Sequence, residues 1–313
     1  MSPGLLRYVA GRLVRGLLTI VGLVTIVFLL VRLSPGDPVE AILGDMAGPE
    51  EKAELRRALK LDEPIGEQYL SFLGDMADGT MGTSFRQPDR SVWSMVSAVL
   101  PHTIILALAA LLVAWAVAVP LGTLAAARAG RGWDKVASAS AVAGLAIPNI
   151  WLGPLVILAF GVKLRWLPLP GDDLAGPEAL SLAAITIGTA LAAVRARQTR
   201  AAMIEVLSQQ YITAARARGV PSSALLLRHA LRNALLPVIT IGAAQLGALL
   251  SGTVVTEKIF ERTGLGTLFL DAFFSRDIPV VQGCVLVIAI IYVGVNLLVD
   301  LSYGVVDPRV RLS

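Results

Sequence analysis

Residues Ser91–Ala127 read SVWSMVSAVLPHTIILALAALLVAWAVAVPLGTLAAA and contain no Asp, Glu, Lys or Arg. A helix needs about 20 mostly apolar residues to cross a bilayer. In lipid every backbone polar group must be satisfied within the segment, so an apolar run of this length reads as a helix. Working outward, five more windows lack charge: Gly16–Val31, Val136–Val162, Ala179–Val194, Asn233–Thr256 and Ile278–Val299. Gly16–Val31 and Ala179–Val194 are slightly short. Arg15, Arg32 and Arg195 extend them if their charges snorkel to the headgroups. Six membrane helices are expected. The short alternating strands of a membrane barrel are absent.

Composition agrees. The chain is 55% hydrophobic and 16% charged, where soluble domains are about 25% charged. Arg7, Arg12 and Arg15 precede the first window as they would in a signal peptide. No A-x-A cleavage site stands before Ser34-Pro35-Gly36-Asp37-Pro38, so the helix reads as retained.

Charge sets the expected orientation. With the N-terminus inside, the inner segments hold 15 of the 27 basic residues, among them Arg128, Arg131, Lys135, Arg197, Arg200, Arg309 and Arg311. Only Asp134, Glu205, Asp300 and Asp307 accompany them. This follows the positive-inside rule for short loops, and both termini then lie in the cytoplasm. The net charge of +4 therefore needs no nucleic acid as partner. Membrane lipid is the implied surroundings.

Outside, Glu50–Lys60 and Glu67–Met76 show apolar residues at helical spacing. Gly79–Ser84 is a turn-rich break, and Thr267–Phe274 reads as a short surface or re-entrant helix. The lone cysteine, Cys284, lies mid-window and reads as a small buried apolar residue.

The chemistry of catalysis is missing. There is no phosphate-cradling loop and no Gly-Lys pair. With His102, His229 and Cys284 as the only histidines and thiol, the common zinc site has no ligands. No cofactor is expected in this chain. An ion-coupled carrier would need buried carboxylates. Asp300 and Glu205 lie at or beyond span ends, which counts against a secondary transporter or an embedded enzyme.

The segment Tyr211–Pro237, YITAARARGVPSSALLLRHALRNALLP, is the candidate site. Tyr211–Arg218 reads as a helix whose Ala214, Ala215 and Ala217 admit a close partner. Gly219 supplies a stop and Pro221-Ser222-Ser223 a restart. Arg216, Arg218, Arg228 and Arg232 offer cationic handles. A plain solvated loop explains any single Arg, but not the ordered small residues, stop and restart.

This stretch resembles the coupling loop of ABC importer permeases, in the branch that carries dipeptides, oligopeptides and nickel. Supporting motifs run through nearly the whole chain: Ser34–Pro38, Gly82-Thr83-Ser84-Phe85, Leu100-Pro101-His102-Thr103, Ile147–Gly153, Trp166-Leu167-Pro168, Arg228–Pro237, Val254–Glu257 and Asp307–Arg311. The resemblance implies an all-α integral membrane protein with the type I importer fold. It implies an N-terminal helix over 1–33 and an extracytoplasmic insertion over 34–98. A five-helix core would follow over 99–303, with the coupling loop at about 205–237 and a tail over 304–313. It also implies a second homologous permease, two cytoplasmic ATPases that bind ATP and Mg, and an extracytoplasmic substrate-binding (lipo)protein. Tyr211, Thr213, Ala214, Ala215, Arg216, Arg218, Gly219, Arg228 and Pro237 would form the coupling contact. Thr213 stands where the family's acidic residue is expected and cannot form that ion pair.

Asn149, Thr240, Gln245, Ser251, Thr253 and Asn296 are the polar candidates for a pore lining. The plain reading of each is an interhelical hydrogen bond. Peptides lead as cargo, before nickel or a metal chelate, glutathione or a short sugar.

Overall fold

The computed structural model describes residues 3–33, 37–44, 47–130, 147–171, 178–235 and 253–306, with positions 132, 139, 238, 242 and 249. The described chain is helical. Its one β feature is an isolated antiparallel bridge between Thr83 and Ser91. Two compact units result, one from residues 1–103 with 263–313, the other from 104–262.

In the first unit, α1 (Pro3–Leu33) packs along α12 (Ile278–Val306). Gly16 makes the approach close: a Cβ there would sit 2.7 Å from Val293 Cγ1. Small residues drive such contacts in lipid, where apolar burial alone offers helices no advantage over lipid tails. Outside the membrane windows follow α2 (Pro38–Leu43), α3 (Pro49–Ala58) and α4 (Ile65–Ala77). Asp37 caps α2 through Oδ1, which accepts from the Val39 amide at 2.9 Å. Its other oxygen is paired with Arg56 of α3. Phe72 of α4 packs with Val24 and Phe28 of α1, and with Val280, Val281 and Cys284 of α12. Helix α11 (Leu265–Phe274) lies against α12. Its first amide, Leu265 N, donates to Thr103 Oγ1 at 2.7 Å, one of the four orphan donors of a helix start. That bond gives the Leu100–Thr103 motif a structural purpose.

Helix α5 (Val92–Ala127) is continuous through Pro101 and Pro120 and takes up the charge-free window Ser91–Ala127 but for its first residue. In the second unit it meets α7 (Glu178–Leu207) at two glycines. A Cβ on Gly122 would lie 2.6 Å from the Ala196 carbonyl oxygen, and one on Gly188 2.6 Å from Val113 Cβ. Helix α6 (Asn149–Val156) contains Pro154 and runs into a π-helical turn at Ile157–Lys163. Proline removes a helix hydrogen bond, and wider turns are one way the backbone accommodates it.

Among the described residues, four helices are long and apolar enough to cross a membrane: Ala10–Leu29, Val92–Ala127, Leu180–Leu207 and Ile278–Val299. Ile150–Lys163 is a shorter apolar helix within the third expected window. Most of the fifth window, with Pro237, Thr240, Gln245 and Ser251, lies outside the described residues.

One expectation fails. Arg195 does not snorkel to a helix end. Helix α7 continues to Leu207, so Arg195 falls inside it and is only 1% exposed. Its Nη2 donates to the Gly242 carbonyl at 3.4 Å. Glycine at 242 leaves the space, since a Cβ there would meet Nη1 at 2.7 Å. The charge-free window ends at Val194, but the helix does not.

Candidate functional site

Helix α7 stops at Leu207. After two intervening residues α8 (Gln210–Ala217) begins. Its end follows from local chemistry. Gly219 has φ +81°, Gly219 N bonds the Arg216 carbonyl at 3.0 Å, and Val220 N reaches the Ala215 carbonyl at 3.3 Å. This six-to-one closure needs a residue that enters the left-handed region without penalty, and glycine does so. Pro221 then precedes α9 (Ser222–Ala224), which runs on as a π-helical turn over Leu225–Ala230.

The elbow is pinned by one face. Ile212 is fully buried among Met203 of α7, Leu225 and Ala230 of the π-helical turn after α9, Ala234, and Ala126 of α5. Ala215 and Val220 pack on the same cluster. The opposite face is open: Tyr211, Thr213, Ala214, Arg216, Ala217, Arg218 and Gly219 are all exposed. Small residues and two guanidiniums therefore project from a helix whose other side is locked to α5 and α7. A second tie sits at the start of α8, where Asn233 Nδ2 donates to Tyr211 Oη at 2.7 Å. Arg228 is exposed on the π-helical turn after α9, so it shares the solvated surface rather than the core.

The pore candidates are placed differently. Thr253 precedes α10 (Val254–Ile259), is buried, and its Oγ1 donates to Glu257 Oε1 at 3.1 Å. Asn296 is half-buried, with Nδ2 donating to the Tyr292 carbonyl at 2.8 Å. Each thus bonds four residues away along its own chain, not across to another helix. Asn149 opens α6.

One latch was not singled out from the sequence. Asp277 is 3% exposed and joins the end of α11 to the start of α12. Its carboxylate accepts from the Ser84 hydroxyl and, at 3.0 Å, from the Phe85 amide. Arg86 Nε donates to the Ser275 carbonyl at 3.1 Å. Arg276, with φ +59°, occupies the left-handed position that turns Asp277 inward, and Asp277 N closes on the Ala272 carbonyl at 2.9 Å. The Gly82–Phe85 motif was the available signal, together with a single acid next to an apolar window.

These features define a class: a helical membrane subunit without a catalytic constellation in its described part, carrying an exposed small-residue elbow braced by α5 and α7. Comparison with known proteins gives the family. Residues 118–312 match the binding-protein-dependent transport system inner membrane component, and residues 5–107 match the N-terminal part of such membrane components. The chain belongs to this family of ABC transport permeases. It is 37% identical to the di/tripeptide transport system permease protein DppB of Pseudomonas aeruginosa, across 98% of this chain and 99% of that one. It is 35% identical to the oligopeptide transport system permease protein AppB of Bacillus subtilis, across 97% and 99%. Against the glutathione transport system permease protein GsiC of Salmonella typhi the identity is 36%, across 98% and 99%.

Proposed function

We propose that this chain is one permease of a heterodimeric, ATP-driven importer of short peptides. Its fold is the type I importer domain of six spans with both termini cytoplasmic and residues 34–98 inserted outside after the first helix. The peptide assignment rests on its likeness to relatives named for di-, tri- and oligopeptide transport. Glutathione is itself a tripeptide, so the likeness to GsiC changes the cargo but not the machinery.

The observation that carries the mechanism is the two-faced elbow. Its open face, Thr213, Ala214, Arg216, Ala217 and Arg218, is the proposed seat in an ATPase cleft. Its closed face, Ile212, transmits movement to α5 and α7 through packed side chains. Two ATPases bind ATP and Mg and close on each other; this chain binds neither and catalyses nothing. Closure pulls the elbow and rocks the helices from an inward-open to an outward-open state. Only contacts that differ between the two states can shift that equilibrium, and the seat supplies them. An extracytoplasmic binding protein delivers peptide on the other side.

The test is labelled-dialanine uptake into liposomes containing both permeases and both ATPases. Uptake is expected only with loaded binding protein and ATP. Uptake by the permeases alone would sink the proposal. Orientation is checked with Arg216→Cys in intact cells. The native Cys284 is buried, so an impermeant maleimide reports the new thiol, and labelling from outside would refute a cytoplasmic elbow.

A further inference from the structure

The first unit contains a cavity of about 510 Å³ bounded by α1, α3, α4, the strap at residues 80–85 and the start of α12. Small-molecule sites span about 300–1,000 Å³, so the volume suits a short peptide. Its wall is chemically two-sided. Arg32 and Lys60 bring positive charge, Glu63 and Asp75 negative charge, while Phe72 and Met81 supply an apolar floor.

Arg32 is the distinctive group. Its Nε donates to Gln68 Oε1 at 2.9 Å and its Nη1 to the Phe28 carbonyl at 3.5 Å. The guanidinium stacks 3.5 Å from the Phe28 ring centroid. Gln68 is itself fixed by donating to the Glu63 carbonyl at 2.7 Å. The fork is thus held rigidly, yet among the described residues no carboxylate pairs with it and Nη2 has no acceptor. The guanidinium is half-buried, so it has lost part of its water shell. Such a group is stabilised by a carboxylate that binds it through two parallel N–H bonds. On α4, burial raises the Asp75 carboxyl above its ordinary value, with the neighbouring Asp78 adding to the rise and Lys60 opposing it.

We infer that this cavity is a transit subsite for a zwitterionic short peptide, with Arg32 receiving its carboxylate and Asp75 its ammonium group. The inference rests on the peptide-import reading and adds a place within this chain where the cargo is recognised by its termini rather than its side chains. Because any dipeptide has both termini, the subsite is indifferent to sequence. Its charges select against capped or acidic-only solutes.

The experiment uses Ser71→Cys in the complete complex of permeases and ATPases. Ser71 lines the cavity and is partly exposed, and native Cys284 is buried. Maleimide labelling of this subunit is expected to slow with dialanine and not with N-acetyl-dialanine amide. Adding Arg32→Gln or Asp75→Asn should raise the half-protecting dialanine concentration by about tenfold or more, the cost of one charge-assisted pair. Equal protection by the capped peptide, or no protection, overturns the subsite. Protection by the loaded binding protein alone also overturns it and makes the cavity a docking pocket. Dialanine uptake by the same complex separates the two claims. Uptake without protection defeats the subsite and leaves import standing; protection without uptake does the reverse.

Discussion

The elbow at α8 and the strap at residues 82–86 use similar small and polar residues for opposite ends. At the strap the Ser84 hydroxyl and the Phe85 amide turn inward onto Asp277, while the exposed Arg86 side chain closes the rim on the Ser275 carbonyl. At the elbow the polar atoms turn outward and the joint is apolar, centred on Ile212. A latch is made by satisfying buried polar groups. A handle is made by leaving them for a partner while hydrophobic packing stops the handle from slipping. Under the proposed function, strap mutations act on stability and elbow mutations on coupling.

The strap should show the largest effect. Asp277→Ala leaves the buried Ser84 hydroxyl and the part-buried Phe85 amide without this acceptor, a loss of about 2–5 kcal/mol. Thermal melting of the solubilised subunit should fall strongly, and Asp277→Asn, which keeps one acceptor, should fall less. If Asp277→Ala melts like the parent, the latch is no latch. At the elbow, Ile212→Ala removes a fully buried side chain at a cost of about 2–4 kcal/mol. Ile212 itself lies beyond the apolar windows, so the aqueous cost applies. Loss of ATPase copurification with the membrane helices intact is expected. Equal loss of both would merge the two regions into one and remove the contrast.

The elbow was readable from sequence because its determinants are local. Helical spacing over Tyr211–Arg218, the stop at Gly219 and the restart at Pro221 all lie within a dozen residues, and α8 and α9 follow them. The outer helices α3, α4 and α11 were legible for the same reason. The strap's latch was not. Ser84 and Asp277 are 193 positions apart, and no periodicity links them. Arg195 misled because charge-free windows mark where charges begin, not where helices end. The π-helical turns at Ile157–Lys163 and Leu225–Ala230 depend on how the backbone settles, which apolar spacing does not encode.

Gly219 sharpens the comparison further, because size and conformation can be separated there. A Cβ at Gly219 would meet nothing within 4 Å, so crowding inside this chain is not the constraint. The constraint is φ +81°. Gly219→Leu costs about 1–2 kcal/mol in the left-handed region and should swing α9 away from α8. Uptake should drop while ATP hydrolysis and assembly persist. Gly219→Asn tolerates that backbone far better, and uptake should largely survive. If Asn fails as badly as Leu, the limit is space for the partner ATPase and not the turn.

The smallest effect should come from Tyr211→Phe. The ring is 44% exposed, so the change leaves the Ile212 cluster intact and deletes one hydrogen bond from Asn233. Such a bond contributes about 0.5–1.5 kcal/mol net, less where water can replace it. Stability should not move measurably. Coupling should, because the bond fixes the first turn of α8 against the helix that follows. The expected signature is a rise in ATP consumed per peptide imported, without change in binding-protein affinity. Asn233→Ala should produce the same rise, and the double substitution should add nothing further, as members of one contact are not additive. Additive effects would mean that Tyr211 and Asn233 touch the ATPase separately, and the brace would then be a second handle.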